Sequence, residues 1–455
     1  MRFPSVRVLL VAVCLVGVAD AQDAPPTRPA HVVLVTIDGL RPEFYLDAGW
    51  PAPVLQQLAG AGSVAHAVRP AFPSVTYPNH TTIITGALPA RHGVWYNTVF
   101  EPDGQTGRWY WEADAIQVTT LWDAVRSAGG TTASVMWPVS VGAPIDYNVP
   151  EVWSLEEGVD FLVPVRAAAT PAGLVEEIEE RATGALSVDG PLSGDYPGRD
   201  DVIGTIGAYL LETYRPTLTT IHLGGVDHFE HVEGRDGPTV RRAVAAADRA
   251  VGRLTEAADR AGIAAETAFI ITGDHGFSDI HTTLAPNVWL LEAGLTGDTR
   301  DRGPAWRASF MVTGASAFLH LRDPSDTAAA DSVLRVLDAL PQGVRGLFTV
   351  LDRDDLDRMG TAPEAAFALT PVPGVSFSGS ARGAAIRPAS GGTHGYAPTF
   401  DEIYTGLLAI GPGIRSGVVI PVSRQEDTAA IVAALLGLDF DPPDGALYPG
   451  LLSAP

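Results

Sequence analysis

At 455 residues, 46% of them hydrophobic, the chain can bury a large core, as two or three average domains or as one α/β domain carrying insertions. A formal net charge of -23 excludes a broad basic face, so no nucleic-acid duplex is expected as a partner. Every Lys/Arg position is Arg, and without lysine neither a Walker-type phosphate loop nor a Schiff base is available.

Residues 1–21 have the layout of a secretory signal: Arg2 and Arg7, an apolar run over 8–18, and Ala19-Asp20-Ala21 as a small-x-small cleavage site. That run is too short to span a bilayer comfortably, and no later stretch is long and apolar enough. A periplasmic or secreted protein without a membrane span is expected. Cys14, the only cysteine, falls inside this segment. The mature chain would then be cysteine-free, so any metal must be held by nitrogen and oxygen. A Pro-rich leader over 22–30 precedes what reads as one catalytic domain over 31–455.

Three strand-like runs end in carboxylates. Residues 31–37 run into Asp38-Gly39; residues 217–223 into Gly224-Gly225-Val226-Asp227, with His231 four on; residues 267–272 into Gly273-Asp274-His275-Gly276. In an open parallel sheet the ligand crevice lies at the carboxyl ends of the strands. Carboxylate plus imidazole delivered there is a ligand set for zinc-like divalent metals, which points to a metallohydrolase.

The intervening elements fit a βα series. A helix over 120–128 leads to a strand over 133–137, and an amphipathic helix over 238–261 feeds the strand holding Phe269. Val240, Val244, Ala247, Val251 and Leu254 share one face of that helix. Residues of about 303–380 read differently, as strands over 317–321 and 347–351 around a helix over 327–340, a small α+β insert. A strand over 404–410 and a helix near 428–436 finish the chain.

Phe72-Pro-Ser-Val-Thr76-Tyr77-Pro78-Asn79-His80 combines a turn with a helix start, and Gly86 can close that helix. Thr76 would sit just ahead of the helix N-terminus, where free N–H groups and the dipole favour a phosphoryl group. A threonine hydroxyl is a feeble nucleophile unless a metal or base lowers its pKa. From this segment alone a capping role is the simpler reading; the strand-end ligands tip it toward nucleophile.

Ile37-Asp38-Gly39, Thr76-Tyr77-Pro78-Asn79-His80, Arg91-His92-Gly93-Val94…Asn97, Asp227-x-x-x-His231, Gly273-Asp274-His275-Gly276 and Gly392-Thr393-His394-Gly395 occur in order. Together they resemble the nucleotide pyrophosphatase/phosphodiesterase family, the type I phosphodiesterase branch of the alkaline phosphatase superfamily, over roughly 32–436. The resemblance implies an α/β fold with a mostly parallel sheet between helices on both faces. It also implies two zinc ions, one held by Asp38, Asp274, His275 and the Thr76 oxygen, the other by Asp227, His231 and His394. Asn97 would bind a phosphate oxygen together with the Thr76 N–H. The implied reaction runs through in-line attack by Thr76 and hydrolysis of the resulting phospho-threonine.

Phosphomonoesterases similar to this branch add a Lys-x-Arg pair for the extra charge of a monoester, and this chain has no lysine. Residues 137–146 are uncharged until Asp146. A small-molecule phosphodiester, of nucleotide or nucleotide-sugar type, is therefore the expected substrate, with lipid diesters also compatible. Tyr77 matches the family's base-stacking aromatic, and the cluster Trp109 to Trp111, Trp111 included, could complete the slot; ordinary core packing is the other reading of these rings. The pocket's outer wall is expected from about 303–380 and 147–199. His80 and His92 are read as loop-fixing, His228 and His281 as near the ligands but not among them, and His31, His66, His222 and His320 as structural or exposed. Two alternatives stay open: a monoesterase or phosphonate hydrolase on the same metals, and a catalytically silent binding protein.

Overall fold

The computed structural model describes residues 28–187, 192 and 196–453, so the expected signal segment lies outside the described residues. Aliphatic and β-branched runs form a nine-stranded sheet. Its strands are β1 (His31–Ile37), β2 (Ser63–Arg69), β3 (Thr132–Val135), β4 (Tyr147–Val149), β5 (Leu218–Leu223), β6 (Thr267–Thr272), β7 (Thr405–Ile410), β8 (Val419–Ile420) and β9 (Ser423–Arg424). The order is β8-β2-β7-β6-β1-β5-β3-β4, with β9 also pairing β2.

β1, β5 and β6 are the central parallel strands. Such strands are covered on both faces and therefore read as continuous apolar runs. Alternate residues feed opposite cores: Val33, Val35 and Ile37 join one cluster, Val32 and Leu34 the other. The first cluster is covered by α1 (Pro53–Ala61), α4 (Arg199–Tyr214), α5 (Gly225–Glu233) and α6 (Pro238–Arg260). The second is covered by α2 (Thr76–Thr85), α3 (Leu121–Ser127) and α7 (Asp427–Leu436). This is the three-layer α/β fold expected. On α6 the five residues of the expected face are all buried, each contributing roughly 1.5–3 kcal/mol for the larger side chains. A Thr120–Asp123 capping box starts α3.

β7 departs from the parallel series. It runs antiparallel to both β6 and β2. The chain reaches Thr405 from the loop carrying His394, at the carboxyl edge of the sheet, where the Thr405 hydroxyl donates to the Leu40 carbonyl (2.7 Å). From that edge it can only run back. β3 stops at Val135, short of the expected Trp137, because Met136 turns out of the sheet with φ 55.

The stretch expected as an insert holds a four-stranded antiparallel sheet in the order Phe348–Leu351, Ala368–Pro371, Ser316–Leu321, Ala308–Thr313, with the helix Thr327–Asp338. Its core, built on Phe310, Leu319, Val333 and Leu369, also takes Leu284, Trp289 and Leu290 from residues ahead of it. Among the described residues no helix is long and apolar enough to cross a membrane.

Candidate active site

The three central strands end side by side, and their terminal carboxylates meet. Asp38 follows β1 directly, Asp274 and His275 follow β6, and Asp227 and His231 lie one turn apart on α5, which starts right after β5. Gly39 turns the chain away with φ 72; a Cβ there would stand 2.5 Å from Glu230 Oε2, so glycine lets α5 approach Asp38 this closely. His394 arrives on the loop before β7. His275 Nε2 lies 3.2 Å from Asp38 Oδ1 and 3.3 Å from Asp274 Oδ2. His231 Nε2 and His394 Nε2 each lie 3.4 Å from Asp227 Oδ1.

The other nitrogen of each ring fixes the tautomer. Nδ1 of His275, His231 and His394 lies 3.1, 3.1 and 3.0 Å from the carbonyls of Gly276, Gly392 and Ser74. A carbonyl only accepts, so each Nδ1 carries a hydrogen and Nε2 is the ring atom turned to the carboxylates. Burial keeps His275 well below its ordinary pKa and His394 at about 4, so both stay neutral at pH 7. Burial, with Asp227 and Asp274 nearby, drives Asp38 well above the usual carboxylate range, and burial beside Asp227 raises Asp274 likewise. His275 Nε2, Asp38 Oδ1, Asp227 Oδ1 and Asp274 Oδ2 are buried without a hydrogen-bond partner. Donor atoms turned toward one another in this way are satisfied by a proton or a metal cation between them. The donor atoms of Asp227, His231 and His394 lie within 4.8 Å of one another, as do those of Asp38, Asp227 and His275. The residues therefore fit divalent metals held by nitrogen and oxygen.

Thr76 opens into the same cavity, of about 330 Å³, as Asp38 and Asp227. Val75, not Thr76, is the N-cap of α2; Thr76 is the first helical residue, and its side chain makes no capping bond. Its N–H belongs to the first turn, where no intrahelical acceptor exists. The Tyr77 N–H donates to Asn97 Oδ1 (2.9 Å), which fixes the Asn97 amide with its NH₂ end as the donor. His80 Nδ1 donates to the Thr76 carbonyl (2.9 Å) while the Thr36 hydroxyl stands 2.8 Å from its Nε2, so His80 braces the helix start. Tyr77 meets Trp109 edge-on at 5.0 Å, and Trp109 meets Trp153 at 4.8 Å. Trp109 and Trp153 line the cavity; Trp111, expected in this slot, packs one ring behind, against Trp153 at 5.3 Å.

A family model described as type I phosphodiesterase/nucleotide pyrophosphatase matches residues 32–397. The chain belongs to this family. Rat ectonucleotide pyrophosphatase/phosphodiesterase family member 1 is 24% identical over 266 residues, covering 56% of this chain and 24% of that protein. Human family member 1 is 22% identical over 93% of this chain and 41% of its own length. The chain thus spans less than half of these curated relatives. Murine ectonucleotide pyrophosphatase/phosphodiesterase 5, solved as an inactive threonine-to-alanine form with AMP, superposes with a TM-score of 0.66 at 19% identity. That match covers 93% of this chain and all of the murine one, and shows a shared fold.

Around this phosphodiesterase-family site stand residues the sequence did not single out. His222, read as structural or exposed, is buried in β5 with Nε2 3.5 Å from Asp38 Oδ2. Glu151 and Arg199 line the cavity, and burial lifts Glu151 to about 7. Both come from the 147–199 region expected to form the outer wall, whereas none of the lining residues comes from 303–380. Beneath the candidate metal cluster, Arg41 Nε contacts Glu230 Oε1 at 2.9 Å in a buried ion pair that ties the β1 loop to α5. The insert touches the site from behind. Gly314, at its hairpin tip with φ 60, lies against the His394 carbonyl, which accepts the Ala315 N–H (2.8 Å). His92 accepts the Val94 N–H (3.1 Å) within its loop, and His281 sits beside the Thr282 hydroxyl at 2.9 Å, outside the cavity lining.

Proposed function

We propose that this chain is an exported phosphodiesterase that cleaves phosphodiester or phosphoanhydride bonds in small molecules through Thr76 and two divalent metal ions. One observation carries the reading. Six acidic and imidazole side chains from separate parts of the chain converge beside a threonine at a helix N-terminus, and four of them, Asp38, Asp227, Asp274 and His275, turn buried donor atoms without hydrogen-bond partners into the cluster. Asp38, Asp274 and His275, with the Thr76 oxygen, would hold one ion; Asp227, His231 and His394 would hold the other. With no thiolate available, this donor set suits zinc. Bound there, such ions would lower the pKa of the threonine hydroxyl and offset charge on the phosphoryl oxygens.

The chain's own groups do the rest. The Thr76 oxygen bonds to phosphorus in line as the bond to the leaving oxygen breaks, giving a phospho-threonine. Water then takes the phosphoryl group and Thr76 is restored. The Asn97 NH₂ and the Thr76 N–H meet charge on a non-bridging oxygen, helped by the α2 dipole. Tyr77, Trp109 and Trp153 offer an apolar wall to an ester substituent, which supports a diester over a bare monoester.

With bis-p-nitrophenyl phosphate and added zinc, wild-type protein should turn over, and Thr76→Ala should lose activity on the order of a thousandfold or more while retaining its metal. Acid-quenched wild type should carry phosphate on Thr76 by mass spectrometry. Substantial turnover by Thr76→Ala would overturn the covalent reading.

A further inference from the structure

Arg199 is the first residue of α4 and lines the cavity that holds Thr76 and Asp227. It is the only Lys or Arg among the lining residues. Its Nε is buried without a hydrogen-bond acceptor, and its charge couplings to carboxyls among the described residues, Glu151 and Asp200, act through space. Elsewhere Arg41, Arg166, Arg249, Arg260 and Arg307 each grip an acid at 3.0 Å or less. Glu151 shares the cavity wall and interacts with Arg199 only through space.

The position is informative. A Cβ placed on Gly224 would be 3.4 Å from His222 Nε2 and 3.7 Å from Arg199 Nη2. Since His222 Nε2 reaches Asp38, the guanidinium stands just beyond the proposed metal ligands, at the end of β5. A buried donor left unpaired costs stability, and a planar guanidinium fork matches phosphate and carboxylate oxygens. In a chain of net charge -23, an arginine that faces a reaction cavity and makes no salt bridge among the described residues can take an anion from outside the protein.

We infer that Arg199 is a specificity-determining residue that binds negative charge on the substrate beyond the single charge of a simple diester. The inference rests on the proposed phosphodiesterase reading. The extra charge has two possible sources, a second anionic group along an anhydride chain or the second charge of a monoester. Either is a phosphate oxygen within reach of the guanidinium. Arg199 would thus supply, from a different stretch of chain, part of the positive charge that the missing Lys-x-Arg pair would bring.

The test compares wild type, Arg199→Gln and Arg199→Lys, zinc-loaded and matched by circular dichroism, on three substrates. Bis-p-nitrophenyl phosphate carries one charge; ATP and p-nitrophenyl phosphate carry more. The expected result is a fall of tenfold or more in the kcat/KM ratio of a highly charged substrate over bis-p-nitrophenyl phosphate in Arg199→Gln. The change should lie mainly in KM, with partial recovery in Arg199→Lys. A fall confined to ATP places the anion along a chain; a fall confined to p-nitrophenyl phosphate places it on the reacting phosphate. Ratios that move less than twofold, or an equal loss on all three substrates, would overturn the inference. Failure of the underlying reading shows separately, as turnover of bis-p-nitrophenyl phosphate that survives Thr76→Ala.

Discussion

At the carboxyl edge of β1, β5 and β6, Asp38, Asp227, Asp274 and His275 each keep a buried polar atom without a partner. Across the molecule, the core of the insert is Phe310, Leu319, Val333 and Leu369, buried and apolar throughout. The first region carries unmade hydrogen bonds that cost about 1–3 kcal/mol each. The second gains from every contact it makes. One region is arranged for chemistry at the expense of stability, the other supplies stability. They meet at the Gly314 hairpin, which presses on the backbone of His394.

That contrast can be broken from either side. The largest effect is expected at Asp227, which faces both ligand groups. Asp227→Asn should weaken zinc retention at least tenfold, read by competition with a chelator, while the metal-free protein melts no lower than wild type. The reason is that its charge opposes Asp38 and Asp274 in the metal-free site. A large drop in metal-free melting temperature would mean Asp227 is a structural anchor.

Leu369→Ala should do the reverse, costing about 2–5 kcal/mol of stability by chemical denaturation with kcat/KM per folded molecule kept. Loss of activity without loss of stability would join the insert core to the chemistry. The smallest effect is expected where the regions touch. Gly314→Ala places a Cβ against the His394 carbonyl at positive φ, so zinc retention should weaken a few-fold with about 1–3 kcal/mol of destabilisation. Unchanged zinc retention would show that the hairpin does not position His394.

The readable parts of this chain are those where one physical rule decides. Strands buried on both faces show as apolar runs, so β1, β5 and β6 and the acids that end them stand out before any coordinates. Periodicity likewise revealed α6. What stayed hidden depended on where the chain comes from in space. β7 looks like any strand, and its reversed direction follows only from its start at the site edge. His222 inside a strand looks like core, although its far nitrogen reaches Asp38. Glu151 follows a three-residue strand and Arg199 stands at the very start of a helix, positions where no period marks a face. The sequence places Thr76 just ahead of α2, whereas the helix starts at Thr76 itself, which lies inside the first turn.

The central claim is that six acidic and imidazole side chains surround two cations beside the Thr76 hydroxyl, and zinc-edge anomalous diffraction from zinc-loaded crystals tests it most directly. Two peaks are predicted, one with Asp38, Asp274, His275 and the Thr76 oxygen at about 2.0–2.2 Å, the other with Asp227, His231 and His394 at similar distances. No peak among these residues, or zinc bound only elsewhere on the molecule, would contradict the account.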